Sequence, residues 1–106
     1  MAKKSEPGIY LKLKRRHKKL FTAVESLGKA VRKEGPLTEK TAQLVQLAAA
    51  AAIRSEGAVH SHVRRALAAG ASAREIRHAL VMLTSTIGFP NVVAALSWAE
   101  DVLRGM

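Results

Sequence analysis

Cysteine is absent from the 106 residues. That one absence excludes disulfides, thiolate metal sites and thiol nucleophiles together. Aromatic residues are scarce at 4%, namely Tyr10, Phe21, Phe89 and Trp98. A core must therefore be built from Leu, Val, Ile and many Ala, which bury little area per residue. A helical chain of this make-up gains further burial by self-association, so a homo-oligomer is expected. Long apolar runs are also missing. The longest, from Leu47 to Ile53, is far too short to span a bilayer, and the basic start does not lead into the apolar stretch of a signal peptide. The expectation is a cytoplasmic protein that does not engage a membrane. No segment alternates with a period of two, no internal repeat appears, and no glycine-rich phosphate loop is present.

What remains is basic and helical. The net charge is +10, and it is unevenly placed. Residues 1–35 hold eleven Lys/Arg and three Glu, against seven and five over residues 36–106. Residues 1–8 read as a disordered basic start, with Pro7 and Gly8 as breakers, ahead of a single domain over 9–106. Leu13, His17, Leu20, Val24, Leu27 and Val31 recur at steps of four and three and form one stripe on one long helix, which Gly35-Pro36 ends. Thr38 is a plausible cap for a second helix reaching about Ser55. Its nearly all-apolar circumference marks it as buried. Gly57 is expected to interrupt the chain before a third segment, Ala58 to Ala69, closed by Gly70. Ser72-Ala73-Arg74-Glu75 is a capping box opening a fourth helix along Ile76, Leu80, Leu83 and Ile87. Gly88-Phe89-Pro90 punctuates, and Val92, Ala95, Leu96, Ala99 and Leu103 carry the last helix. The fold class is all-α, a bundle of about five helices.

From about residue 37 to 103 the order of features resembles the carboxymuconolactone decarboxylase and alkylhydroperoxidase D-like family. The stretch that carries the resemblance is His62-Val63-Arg64-Arg65-Ala66-Leu67-Ala68-Ala69-Gly70-Ala71-Ser72, followed by Glu75-Ile76, Gly88-Phe89-Pro90 and the Ala-rich final helix. It implies an alkylhydroperoxidase D-like bundle assembled into a homotrimer or homohexamer. The peroxidase branch of the family resembles a CxxCxxxH pattern with a Glu twelve residues before the first Cys. Laid on this chain, His62 keeps the His position, whereas Ser55 and Ala58 fall on the two Cys positions and Gln43 on the Glu. A protonated serine hydroxyl cannot replace a thiolate, nor form a disulfide with alanine. Thiol peroxidase activity is thus excluded. The decarboxylase branch also lacks the cysteine pair. By resemblance it implies cofactor-free decarboxylation or proton transfer on a small carboxylated lactone, with His62 as acid/base candidate. Arg54, Arg64 or Arg65 could hold a substrate carboxylate, with no motif singling one out, Gln43 could donate a hydrogen bond, and Phe89 could wall the pocket.

The residues taken alone leave blander alternatives open. On an ideal helix His62 sits about 60° from Val59 at the edge of the apolar face, which suits a pocket-lining residue or a half-buried structural histidine. His60 points about 200° away from it. Glu56 and His60, four apart, form a solvated pair by default; a metal site from Glu56, His60 and His78 is imaginable, but no metal is expected. Lys12, Arg15, Arg16 and Lys19 share a face of the first helix that could track phosphates, although Lys14 and Lys18 spread charge over the rest of its circumference and no aromatics interleave for stacking. The alternative to an enzyme is therefore a non-catalytic oligomeric binding or assembly protein that uses its basic first helix on an anionic partner such as nucleic acid.

Overall fold

The computed structural model describes residues 8–106; the basic start expected to be disordered lies outside them except for Gly8, which opens a helix. Seven helical segments follow in order: α1 Gly8–Arg16, α2 Lys18–Arg32, α3 Glu39–Ala52, α4 Glu56–Ala68, α5 Ala73–Val81, α6 Thr84–Ile87 and α7 Phe89–Leu103. The fold is all-α, with no strand among the described residues. All five expected stretches are helical, and two of them are split. None of the helices is long and apolar enough to cross a membrane. The chain divides into two compact units, one ending at Leu37 and the other covering Thr38–Met106.

The first unit corrects the single long helix read from the sequence. His17 leaves helical geometry (φ −131°, ψ 57°) between α1 and α2. Tyr10 and Phe21 then meet edge to face, with ring centroids 4.9 Å apart. Eleven residues of straight helix would separate them by about 16 Å along the axis, so α1 must turn back on α2. Neither helix buries a residue. Leu20, Val24, Leu27 and Val31 do form a line at steps of four and three, but each is at least half exposed.

In the second unit the apolar stripes are used as expected. Leu47, Ala50 and Ala51 from α3, Val59, Val63 and Ala66 from α4, Ile76 and Leu80 from α5, and Ala95, Ala99 and Leu103 from α7 form one core. The alanines on α3, α4 and α7 let the helix backbones approach, which is how so aromatic-poor a sequence closes a core. The start signals hold. Thr38 accepts the Thr41 amide at 3.1 Å, and the Ser72 box is formed in both directions, at 3.0 and 2.9 Å.

The α3–α4 boundary differs from expectation. Helix α3 ends at Ala52, and Gly57 lies inside the first turn of α4 rather than interrupting the chain. The break is at Arg54, which adopts φ +57°. Ser55 N–H donates to Ala50 O at 3.0 Å and Arg54 N–H to Ala51 O at 3.1 Å, the pair of bonds that closes a helix through a left-handed residue. Gly70, at φ +98°, closes α4 the same way, with Ala71 N–H to Ala66 O at 2.9 Å and Gly70 N–H to Leu67 O at 3.1 Å. An arginine in that conformation costs about 1–2 kcal/mol. Here its side chain is tied down, bonding to Asn91 and lying over the Trp98 ring, 5.9 Å from the centroid.

Candidate functional site

Helix α4 carries two histidines on opposite sides, and each meets a different neighbouring helix. His62 is half-buried and faces α3. Its Nδ1 lies 2.9 Å from Oε1 of Gln43, which is 1% exposed. Gln43 is held in turn by Glu39, one turn earlier on α3, whose carboxylate accepts from Gln43 Nε2 at 2.8 Å. The direction of this chain follows from chemistry. An ionised carboxylate only accepts, so the Gln43 amide must turn its NH₂ group to Glu39 and its carbonyl to His62. The carbonyl only accepts, so His62 Nδ1 carries a hydrogen. In the neutral ring Nε2 then holds the basic lone pair. Gln43, a polar residue in an apolar helix, is thereby satisfied at both ends of its amide. Read from the sequence, a buried Gln43 had two candidate partners, His62 or the backbone of a facing subunit; Glu39 was not singled out, although the i, i+4 spacing of Glu39 and Gln43 was there to be read.

The two positions matched to the peroxidase cysteines are structural. Ser55 caps α4, accepting from the Ala58 amide at 3.4 Å, and Ala58 packs half-buried against the core. Of the arginines proposed to hold a carboxylate, Arg64 and Arg65 are half-buried on α4, and Arg65 lies one turn after His62, at the i+3 spacing that makes helix neighbours. Arg54 is instead engaged with Asn91 and Trp98. Phe89 is 64% exposed in the first turn of α7. A surface depression at the start of α5 is lined by Ser72, Arg74, Glu75 and His78, and includes neither His62 nor Gln43. The bend at His17 leaves Lys12, Arg15 and Arg16 on α1 and Lys19 on α2, so the shared face drawn on one straight helix does not carry through. All four are exposed.

His60, buried on the opposite side of α4, faces α7. Its Nε2 is 2.9 Å from Asp101 Oδ2 and 3.9 Å from Glu56 Oε2. The sequence had offered His78 as a third member of this group; the structure puts Asp101 there. Elsewhere the titratable groups serve as helix ties. Ser72 and then Lys40 hold the Glu75 carboxyl below its ordinary value. Arg77, bonded through Nε and Nη2 to both Glu100 oxygens at 2.7 and 2.9 Å, lowers the Glu100 carboxyl and is itself raised.

The profile of the Carboxymuconolactone decarboxylase family matches residues 18–101. No curated protein gives a significant sequence match. Among solved structures the chain is similar to the apo form of a carboxymuconolactone decarboxylase family protein from Legionella pneumophila, 26% identical, with a TM-score of 0.74 over 89% of this chain and 84% of that one.

Proposed function

Taking as premise that the chain belongs to the carboxymuconolactone decarboxylase family, we propose that it is a cysteine-independent proton-transfer enzyme acting on a small carboxylated lactone, with His62 as acid/base. The observation that carries this reading is the Glu39–Gln43–His62 chain. It fixes one tautomer and one ring orientation, as an acid/base histidine requires. In decarboxylation the bond to the carboxylate breaks, CO₂ departs, and the electron pair enters the conjugated lactone carbonyl. The conjugated enolate left behind needs one proton on carbon as the lactone carbonyl re-forms. A His62 protonated at Nε2 delivers it and is reprotonated from water, and Gln43 stabilises Nδ1–H in both states. Arg65, one turn after His62 on α4, holds the substrate carboxylate.

Assembly belongs to the same reading. Leu20, Val24, Leu27 and Val31 are exposed on one line of a helix that buries nothing. Short helices without a buried face are marginal in water. Repeated copies of this chain covering that line, in a trimer or hexamer as the family resemblance implies, would supply the missing burial.

The test is release of CO₂, or loss of ultraviolet absorbance, from 4-carboxymuconolactone with wild type and His62→Ala. Turnover that disappears in the folded mutant supports the assignment; turnover that survives it removes His62 from the chemistry. No turnover by folded wild type favours the second reading, a binding or assembly protein engaging an anionic partner through the exposed basic residues of α1. Nucleic-acid binding of that kind should fall steeply with salt and on Arg15→Ala and Arg16→Ala substitution, and a lack of binding at low salt would remove it.

A further inference from the structure

The cluster on the far side of α4 is unlike the Lys40–Glu75 and Arg77–Glu100 ion pairs. Glu75 pairs with Lys40 and Glu100 with Arg77, as expected where Lys and Arg outnumber Asp and Glu by 18 to 8. Glu56 and Asp101 behave differently. In a strongly basic protein, the ion pairs of both carboxylates run to the same buried histidine nitrogen, His60 Nε2. One ligand-capable atom from each of the three residues falls within a span of 4.8 Å.

We propose that Glu56, His60 and Asp101 form a binding site for a divalent first-row transition ion, separate from the His62 centre. Bonds of about 2.1 Å from a cation to imidazole nitrogen and carboxylate oxygen place neighbouring ligand atoms about 3.0–3.4 Å apart. The observed separations of 2.9 and 3.9 Å from His60 Nε2 bracket that value. Bound metal requires that the Nε2 proton leave and that the exposed Glu56 carboxylate turn inward, closing the 4.8 Å span of the three ligand atoms by somewhat more than about 1 Å. Two ligands come from one helix at i and i+4, a spacing that puts both side chains on one face. The third comes from α7, which packs on α4 through Val59, Val63, Ala95 and Ala99 of the shared core, so the backbone positions are set before metal arrives.

The donor set also defines the ion. One imidazole with two carboxylates suits manganese, iron, cobalt or zinc better than magnesium or calcium, which prefer oxygen alone. The side chains of Glu56 and Asp101 are 57% and 37% exposed, against 10% for His60. The site is thus anchored on a buried nitrogen and open to water on its carboxylate side, with coordination positions left for solvent or a small ligand.

The probe is Co²⁺ or Zn²⁺ added to the metal-free full chain, followed by calorimetry, by the visible Co²⁺ spectrum and by NMR of the four histidine rings. The expected result is one ion per chain, with affinity rising from Mn²⁺ through Co²⁺ to Zn²⁺ and Mg²⁺ far weaker. Co²⁺ should perturb the His60 ring before those of His17, His62 and His78. His60→Ala should weaken binding by at least about a hundred-fold, because loss of outer partners alone costs roughly 10–100-fold. Asp101→Asn and Glu56→Gln, which keep the shape of the cluster, should each weaken it, while His78→Ala should leave it unchanged. Absence of binding to folded wild type, or binding that ignores Asp101→Asn and first perturbs another histidine, would overturn the proposal and leave the cluster as a hydrogen-bonded tie between α4 and α7.

Discussion

Gln43→Leu isolates the orientation of His62 from its presence. The substitution keeps the approximate volume of a side chain that is 1% exposed and deletes two hydrogen bonds, one to Glu39 and one from His62. A net bond of this kind is worth about 1 kcal/mol, which biases the neutral His62 tautomer towards Nδ1–H by about five-fold. Glu39 is exposed and His62 half-buried, so both can turn to water in the mutant, and the added apolar contact offsets part of the loss. Stability should therefore fall by no more than about 1 kcal/mol, or roughly 4–8 °C in Tm for a domain of this size. The tautomer, by contrast, should change clearly. Long-range ¹H–¹⁵N correlation of the histidine rings reads it directly: wild-type His62 should carry its hydrogen on Nδ1, and Gln43→Leu should move population to Nε2–H. Any activity assigned to His62 should fall with that population. Wild-type His62 protonated at Nε2 instead, or a tautomer unmoved by the mutation, would refute the directional argument through Glu39 and Gln43.

Other expectations concern stability and assembly. Ser72→Ala removes a formed capping box and should lower stability by about 1 kcal/mol, measured by thermal melting; no change would mean that α5 is held by its core contacts alone. The Glu75 and Glu100 carboxyls are both depressed in the folded chain, so their contribution is fully present above the unfolded value near 4.5 and is lost as pH falls through the folded values. Melting curves should be flat in this respect above about pH 5 and slope downward below, with a shallower acid limb in Arg77→Ala; an unchanged limb would deny the Arg77–Glu100 pair that role. Light scattering should report a multiple of the 11.4 kDa chain, and Leu27→Glu, placed on the exposed α2 line, should reduce the mass without loss of helix. A monomeric wild type would count against the assembly reading.

Helix existence was legible in the sequence wherever a local rule governed it. Thr38, the Ser72–Glu75 box, Gly70 and Gly88-Phe89-Pro90 all carry out the tasks their residue types suggest, because capping is decided within four residues of chain. The boundaries that differed lack such residues. Arg54 occupies a left-handed position that normally advertises itself by glycine, and nearby Gly57, the conspicuous breaker, sits harmlessly in a helical turn. The bend at His17 contains neither proline nor glycine and is bridged by the contact of Tyr10 with Phe21, eleven residues apart. The first-helix stripe was correctly periodic, yet periodicity identifies a face without saying what covers it. Similarly, Gln43 and His62 could be paired through a family resemblance, whereas nothing local in the sequence connects His60 to Asp101, 41 residues away on α7.

Both polar centres follow from the phase of one helix. His60 and His62 are two residues apart, about 200° of rotation, so α4 cannot present both to the same neighbour. Lying between α3 and α7, it gives His62 to Gln43 on one side and His60 to Asp101 on the other. Val59, Val63 and Ala66 fill the arc between them with fully buried apolar surface. The two histidines are thus fixed by a common backbone but separated by packed hydrocarbon. The first turn of α4, where the family's peroxidase branch places its cysteines, is occupied here by a cap at Ser55 and a packing residue at Ala58. Ser55 and Ala58 thus serve the fold beside His62, and thiol chemistry is closed to a chain without cysteine.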